Sequence, residues 1–280
     1  MKKKLALALS AMMLLTGCGN ISHDSITPVS REDGSGTRGA FVELFGIQEK
    51  DENGEKVDMT TDLAEITNST AVMLLTVTGN KNAIGYISMG SMNDAVKTLQ
   101  IDGVEATFEN IKNGSYKIAR PFNIATKADA SPAARDFISY ILSAEGQQIV
   151  EESGYISRGN TGAYVPSQAK GNVVVSGSSS VAPVVEKIKE AYEAANPNVT
   201  IEMQQSDSTI GMNSLKEGMC DIGMASRELK ESELEAGLIP TVIAMDGIAV
   251  ITNHENPVNG LTGEDVKAIF QGKVDEWAEL

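Results

Sequence analysis

Histidine and cysteine are nearly absent from this chain of 280 residues, which has two of each and a single tryptophan. His23 and His254 stand far apart in the sequence, and Cys18 and Cys220 are remote from each other. A zinc site and a histidine-based catalytic triad therefore have almost no material. No metal or cofactor is expected, and no disulfide framework either. Cys220, within Gly218–Gly223, reads as a small buried apolar residue. Basic residues are also outnumbered: 23 Lys and Arg face 38 Asp and Glu, for a formal net charge of −15. That balance speaks against nucleic acid as a partner, because a phosphate backbone calls for a basic surface. It does not exclude a small anionic ligand, since salt screens distant surface charge within about 8–10 Å. The long apolar run, Leu5–Leu15, is too short to span a bilayer.

What is present begins with a targeting segment. Lys2, Lys3 and Lys4 precede that apolar run, which ends in Leu15-Thr16-Gly17-Cys18. The tetrad resembles the lipobox of bacterial lipoproteins. The resemblance implies that residues 1–18 hold a signal peptide, that Cys18 is lipidated, and that 19–25 form a tether to the outer face of the cytoplasmic membrane.

The nine residues Ser30–Arg38 then put a guanidinium, hydroxyls and the glycines Gly34 and Gly36 into one turn before an amphipathic stretch. Glycines let successive N–H groups face one concavity. A helix starting near Thr37 would add unpaired N–H groups carrying roughly +0.5 of a charge. Arg31 offers a planar fork suited to a tetrahedral oxyanion. The combination is an anion cradle, although a polar loop capping a helix has the same ingredients.

Strand, turn and helix patterns repeat beyond it. Ala83–Ser88 and Val173–Val175 read as buried strands, with further strands at 199–204, 221–225, 241–244 and 247–252. Helical spacing appears after Ser131-Pro132, through Val150, and again from Pro183 to Ala195. This alternation means α/β layers with parallel strands. Two more hydroxyl-rich turns, Ser178–Ser180 and Ser206–Thr209, precede helices, and ligands in such folds sit where strand ends meet helix N-termini. One serine before a helix is usually a cap worth about 1 kcal/mol. Three such turns with Arg31 point to convergence on one oxyanion.

Val175–Pro183, Gln205–Thr209, Asp221–Arg227 and Ser30–Arg38 together resemble the substrate-binding proteins of bacterial phosphate ABC transporters, as do Ala83–Ser88 and Ile141–Val150. The resemblance implies a two-lobed periplasmic-binding-protein-like fold of type II that closes on inorganic phosphate and delivers it to an ABC permease in the membrane. It assigns phosphate contacts to Ser179, Ser180, the Val181 N–H, Ser208, Arg31, Ser35, Gly36 and Thr37, with Asp33 orienting Arg31. Two departures follow. The Ser30–Arg38 turn precedes the Ser178–Ser180 turn, the reverse of the family order, as in a circular permutation or a cut from a tandem array. The permuted reading places one lobe at 26–115 plus 256–280 and the other at 116–255, with crossings near 116–121 and 252–256. Arg227 also stands where many relatives place the aspartate that accepts the ligand's proton. Arg227 itself then becomes a candidate contact, and Asp207 or Asp246 a candidate acceptor. Receptors for sulfate or a molybdate-like anion, and a signalling module, are the alternatives. An enzyme is disfavoured because no histidine or lysine is placed to activate a serine.

Overall fold

The computed structural model describes residues 25–52 and 56–280; the signal segment, Cys18 and most of the tether lie outside them. From the start, the chain forms β1 (Thr27–Arg31), α1 (Gly36–Leu44), β2 (Gln48–Lys50), β3 (Lys56–Asp58), β4 (Glu65–Thr67), α2 (Thr70–Gly79) and β5 (Ala83–Ser88). The short β6 (Lys97–Thr98), β7 (Gln100–Ile101) and α3 (Phe108–Lys112) follow. The middle of the chain forms β8 (Ala119–Thr126), α4 (Pro132–Leu142), α5 (Ala144–Glu152), β9 (Gly171–Ser178), α6 (Ala182–Ala195) and β10 (Val199–Ser206). After these come α7 (Ser208–Glu217), β11 (Ile222–Ala225), α8 (Glu231–Glu235), β12 (Ile239–Thr252), β13 (Gly260–Leu261) and α9 (Gly263–Phe270).

One sheet runs through the molecule in the order β10-β9-β11-β8-β12-β5-β1-β4. Its two ends are parallel, with β10 on β9, β9 on β11, and β1 between β4 and β5. The middle is antiparallel, where β8 and β12 join the halves. The buried apolar residues divide accordingly. One cluster gathers Phe41, Met73, Tyr86, Ile251 and Phe270 in a first lobe. A second holds Phe122, Phe137, Val175, Ile188 and Tyr192, and a smaller third holds Met212, Leu215 and Leu229; both lie in the other lobe.

The chain passes between these cores at Ile118–Phe122 and again at Ala244–Ile248. The second passage comes earlier than the expected 252–256. Residues 241–252, which read as two short strands, belong to one continuous β12 that pairs with β8 as far as Gly247 and with β5 from Ile248. Residues 245 and 246, where a break was expected, pair with Pro121 and Arg120 of β8; the ladder's one irregularity is a register shift between Val242 and Ala244. A Cβ at Gly247 would strike the Met89 and Ile111 side chains, so this glycine lets those first-lobe side chains pack directly on the strand.

Local chemistry sets the helix starts that matter below. Ser35 Oγ accepts from Arg38 N–H, Ser69 Oγ from Val72 N–H, and Asp207 from Ile210 N–H. In the first core the Phe41 and Tyr86 rings stack with centroids 3.8 Å apart. The Tyr86 hydroxyl meets Ser30 Oγ at 2.8 Å and accepts from Arg31 N–H at 3.2 Å, so the packed core fixes the end of β1. Burial raises that phenol to about 12, which keeps it a neutral hydrogen-bonding group.

Candidate functional site

Four helices begin at one place between the lobes. α1 and α2 enter from the first lobe, α6 and α7 from the second, and each brings a buried hydroxyl at or within two residues of its start: Thr37, Thr70, Ser180 and Ser208. Thr37 Oγ1 lies 2.8 Å from Ser180 Oγ. Thr70 Oγ1 lies 3.4 Å from Ser179 Oγ and 3.5 Å from Ser180 Oγ. Arg31 reaches across to donate from Nη2 to Ser179 Oγ at 3.1 Å, and from Nη1 to Thr70 Oγ1 at 3.5 Å. The Ser208 hydroxyl accepts from Ser226 N–H at 3.1 Å, and Ser178 Oγ bonds Ser226 Oγ at 3.0 Å.

The lobes are closed on each other here. Thr209 N–H and Oγ1 both donate to the Gly34 carbonyl at 3.2 Å. A Cβ on Gly36 would collide with the hydroxyls of Ser208 and Ser226, so this glycine sets the lobe separation. Gly177, with φ at +133°, serves packing inside the second lobe instead, because a side chain there would strike the Met224 carbonyl on the neighbouring β11. Arg31, Thr37, Ser179, Ser180 and Ser208 are at most 3 % exposed. Hydroxyls that can donate or accept, helix N-termini with partial positive charge and one guanidinium are the parts of a dry oxyanion site. Among the described residues, no histidine or lysine side chain is hydrogen-bonded to any of these hydroxyls, and no metal-binding cluster occurs.

The expected residues divide into those brought together and those held apart. Arg31, Ser179, Ser180, Thr37, Ser208 and Gly36 meet as described. Ser35 caps α1, and the Val181 N–H is engaged with the Ser178 carbonyl at 3.1 Å, so both shape the turns. Asp33 does not orient Arg31. Its side chain is 95 % exposed and pairs with Arg38 at 2.7 Å, whereas Glu32 takes Arg31 Nε and Nη2 in a fork at 2.8 and 2.7 Å. The chain has left β1 at Arg31, and the turn curls Glu32 back beneath the guanidinium. Arg227 is likewise turned from the hydroxyl cluster: Nη1 and Nη2 each donate to Glu233 at 2.8 Å, with a longer 3.4 Å contact to Thr209 Oγ1. Burial opposes ionisation of Glu233, but the Arg227 and Lys230 hydrogen bonds prevail and hold its carboxyl below the usual range. Asp207 caps α7, and Asp246 is bound to Arg120 and Ser88, so neither is hydrogen-bonded to the cradle hydroxyls. Ser178 was expected only as part of its turn, and Thr70 and Ser226 were not named as site residues. Thr70 had a signal, since Ser69-Thr70 is another hydroxyl pair before an apolar helix.

Two α/β lobes joined by crossing strands, with helices from both beginning at one buried cradle, define the architecture of a solute-binding protein. The chain belongs to the PBP superfamily, whose domain matches residues 19–145 and 162–280. It is 55 % identical over 282 residues to phosphate-binding protein PstS 2 of Streptococcus agalactiae serotype V, covering 98 % of this chain and 96 % of that one. Phosphate-binding protein PstS 2 of Streptococcus pneumoniae serotype 4 is 42 % identical over 292 residues, covering all of both chains. The crystal structure of a phosphate ABC transporter phosphate-binding protein from S. pneumoniae TIGR4 superposes with a TM-score of 0.71 at 43 % identity, covering 91 % of this chain and 99 % of that one.

Proposed function

We propose that this chain binds inorganic phosphate outside the cytoplasm, between its two lobes, and hands it to an ABC-type permease. The observation that carries the reading is the meeting of four helix N-termini, two from each lobe, at one buried hydroxyl cluster that the Arg31 guanidinium enters through Thr70 and Ser179. Hydrogen bonds to a charged ligand contribute about 1.5–3 kcal/mol each, and exclusion of water strengthens them. The names of the relatives supply the identity of the anion. Arg31, Thr37, Thr70, Ser179, Ser180 and Ser208 are the residues assigned to contact it, with Glu32 orienting Arg31. Closure of one lobe on the other commits the ligand.

Lipidation of Cys18, and with it anchoring to the membrane, belongs to the same reading, because the Leu15–Cys18 tetrad has the form of a lipobox. The motif order is read as a circular permutation. In its support, Ile26 N–H donates to the Asp275 carbonyl at 2.7 Å, which sets the strand leading to Arg31 beside the segment after α9.

Calorimetric titration of the purified protein with phosphate, sulfate and molybdate tests the function. Saturable one-to-one binding of phosphate, with the other anions weaker, is expected. Tight sulfate or molybdate binding without phosphate binding would overturn the assigned ligand.

A further inference from the structure

A buried ion pair sits where the chain crosses between lobes. Arg120 on β8 and Asp246 on β12 are partners in the strand register, and their side chains meet with Nε and Nη2 at 3.3 and 3.1 Å from Oδ2. They are 2 % and 0 % exposed. The remaining Asp246 oxygen accepts from Ser88 Oγ at 2.9 Å, and Ser88 ends β5 in the first lobe. One carboxylate thus ties both crossing strands to the far lobe. Gly90, just beyond Ser88, lies so close to the Tyr155 ring of the second lobe that a Cβ there would overlap it. Arg120 Nη1 has no hydrogen-bond partner, and the guanidinium lies 5.4 Å over the Phe122 ring.

We infer that Arg120, Asp246 and Ser88 form an interlobe clasp, and that Arg120 and Asp246 are positioning residues for anion binding: they touch no cradle hydroxyl but fix the lobe angle at which the cradle closes. Arg120 pairs with Asp246 itself in the β8–β12 ladder, whereas Ser88 pairs with Ile248 on the β5 side, so the Ser88–Asp246 bond spans the point where β12 changes partner from β8 to β5 and its length depends on that angle. An ionised Asp246 can accept from both partners at once and holds the clasp most firmly. The groups facing this carboxylate are Arg120 from β8, Ser88 at the end of β5, the Gly90 N–H just beyond it, and Tyr155 after α5; Arg31 acts on it indirectly, through its repulsion of Arg120. Burial raises Asp246 to about 6 against Arg120, Ser88 and Gly90, which places its titration within reach of ordinary buffers.

The clasp rests on the phosphate reading, and one experiment separates the two. Phosphate affinity of the full chain is measured from pH 5 to pH 8 for wild type and Asp246→Asn. The amide stands in for the protonated acid, and the ligand's own titration cancels in the ratio of dissociation constants. The ratio should be about 10 at pH 8, the weight of one charged hydrogen bond, and fall toward 1 at pH 5. A purely structural role gives a ratio that does not move with pH, and that result overturns the clasp. So does tighter binding by the variant, which the uncompensated charge of Arg120 beside Arg31 alone would produce. Ser88→Ala keeps both charges and decides the matter should the first variant fail to fold. It should bind roughly threefold more weakly at pH 8, and wild-type affinity refutes the clasp. A wild-type chain that takes up no phosphate overturns the function itself, and the clasp with it.

Discussion

Replacing Gly36 with alanine tests the closed cradle without removing any of its chemistry. A methyl group there would overlap the Ser208 hydroxyl, approach Ser226 Oγ to 2.7 Å, and stand 3.1 Å from the Ser226 carbonyl carbon. The backbone contact cannot rotate away, and Ser208 Oγ is itself held by Ser226 N–H. Overpacking of this kind costs about 1–3 kcal/mol, and here the cost falls only on the closed form. A central value near 2 kcal/mol weakens phosphate binding about 30-fold. The open fold should not suffer, because alanine is the better helix former in the first turn of α1. Calorimetric titration of the variant with phosphate, beside a thermal unfolding scan, reads both effects. Gly39→Ala is the control, since a Cβ there meets nothing within 4 Å. Equal phosphate affinity for Gly36→Ala and wild type would refute the lobe closure described here.

Arg31→Lys keeps the charge but loses the fork shared among Glu32, Thr70 and Ser179, and titration should find phosphate bound at least about tenfold more weakly. Thr70→Val preserves shape and deletes the hydroxyl, so affinity should fall about fivefold with the melting temperature little changed. Asp33→Asn should leave phosphate affinity within about twofold of wild type, because an exposed ion pair with Arg38 contributes little. Arg227→Gln should also bind as wild type yet melt earlier, since Glu233 would lose its buried partner. Asp246, raised by burial to about 6 in the fold, binds more protons folded than unfolded. Its contribution to stability is full below the unfolded value of about 3.9 and is lost as pH rises through about 6. Urea unfolding should therefore show the Asp246→Asn variant gaining stability relative to wild type from pH 4 to pH 7.

Much of the site could be read from the chain because hydroxyl-rich turns before helices have a local cause. Ser35, Ser69 and Asp207 cap the helices that follow them, and capping leaves its mark within four residues. Alternating apolar strands and helices likewise announced the α/β layers. What escaped depends on distance in space. Nothing in the segment around Glu32 says which of two neighbouring carboxylates will turn under Arg31, and the exposed Asp33 took the place of Glu32 in the reading. Arg227 looked like a contact because of its position after β11, but Glu233, six residues on, captures it. Ser226 and Ser178 come together only through the pairing of β11 with β9. The unbroken β12 was hidden because Gly247 resembles a strand end, although it is the point where the first lobe packs against the crossing.

The central claim is that helix starts from both lobes hold one tetrahedral anion, and crystals grown with phosphate test it most directly. Density for a single phosphate is expected within hydrogen-bond distance of Arg31, Thr37, Thr70, Ser179, Ser180 and Ser208. Phosphate bound elsewhere, with those hydroxyls still bonded to each other, would contradict it.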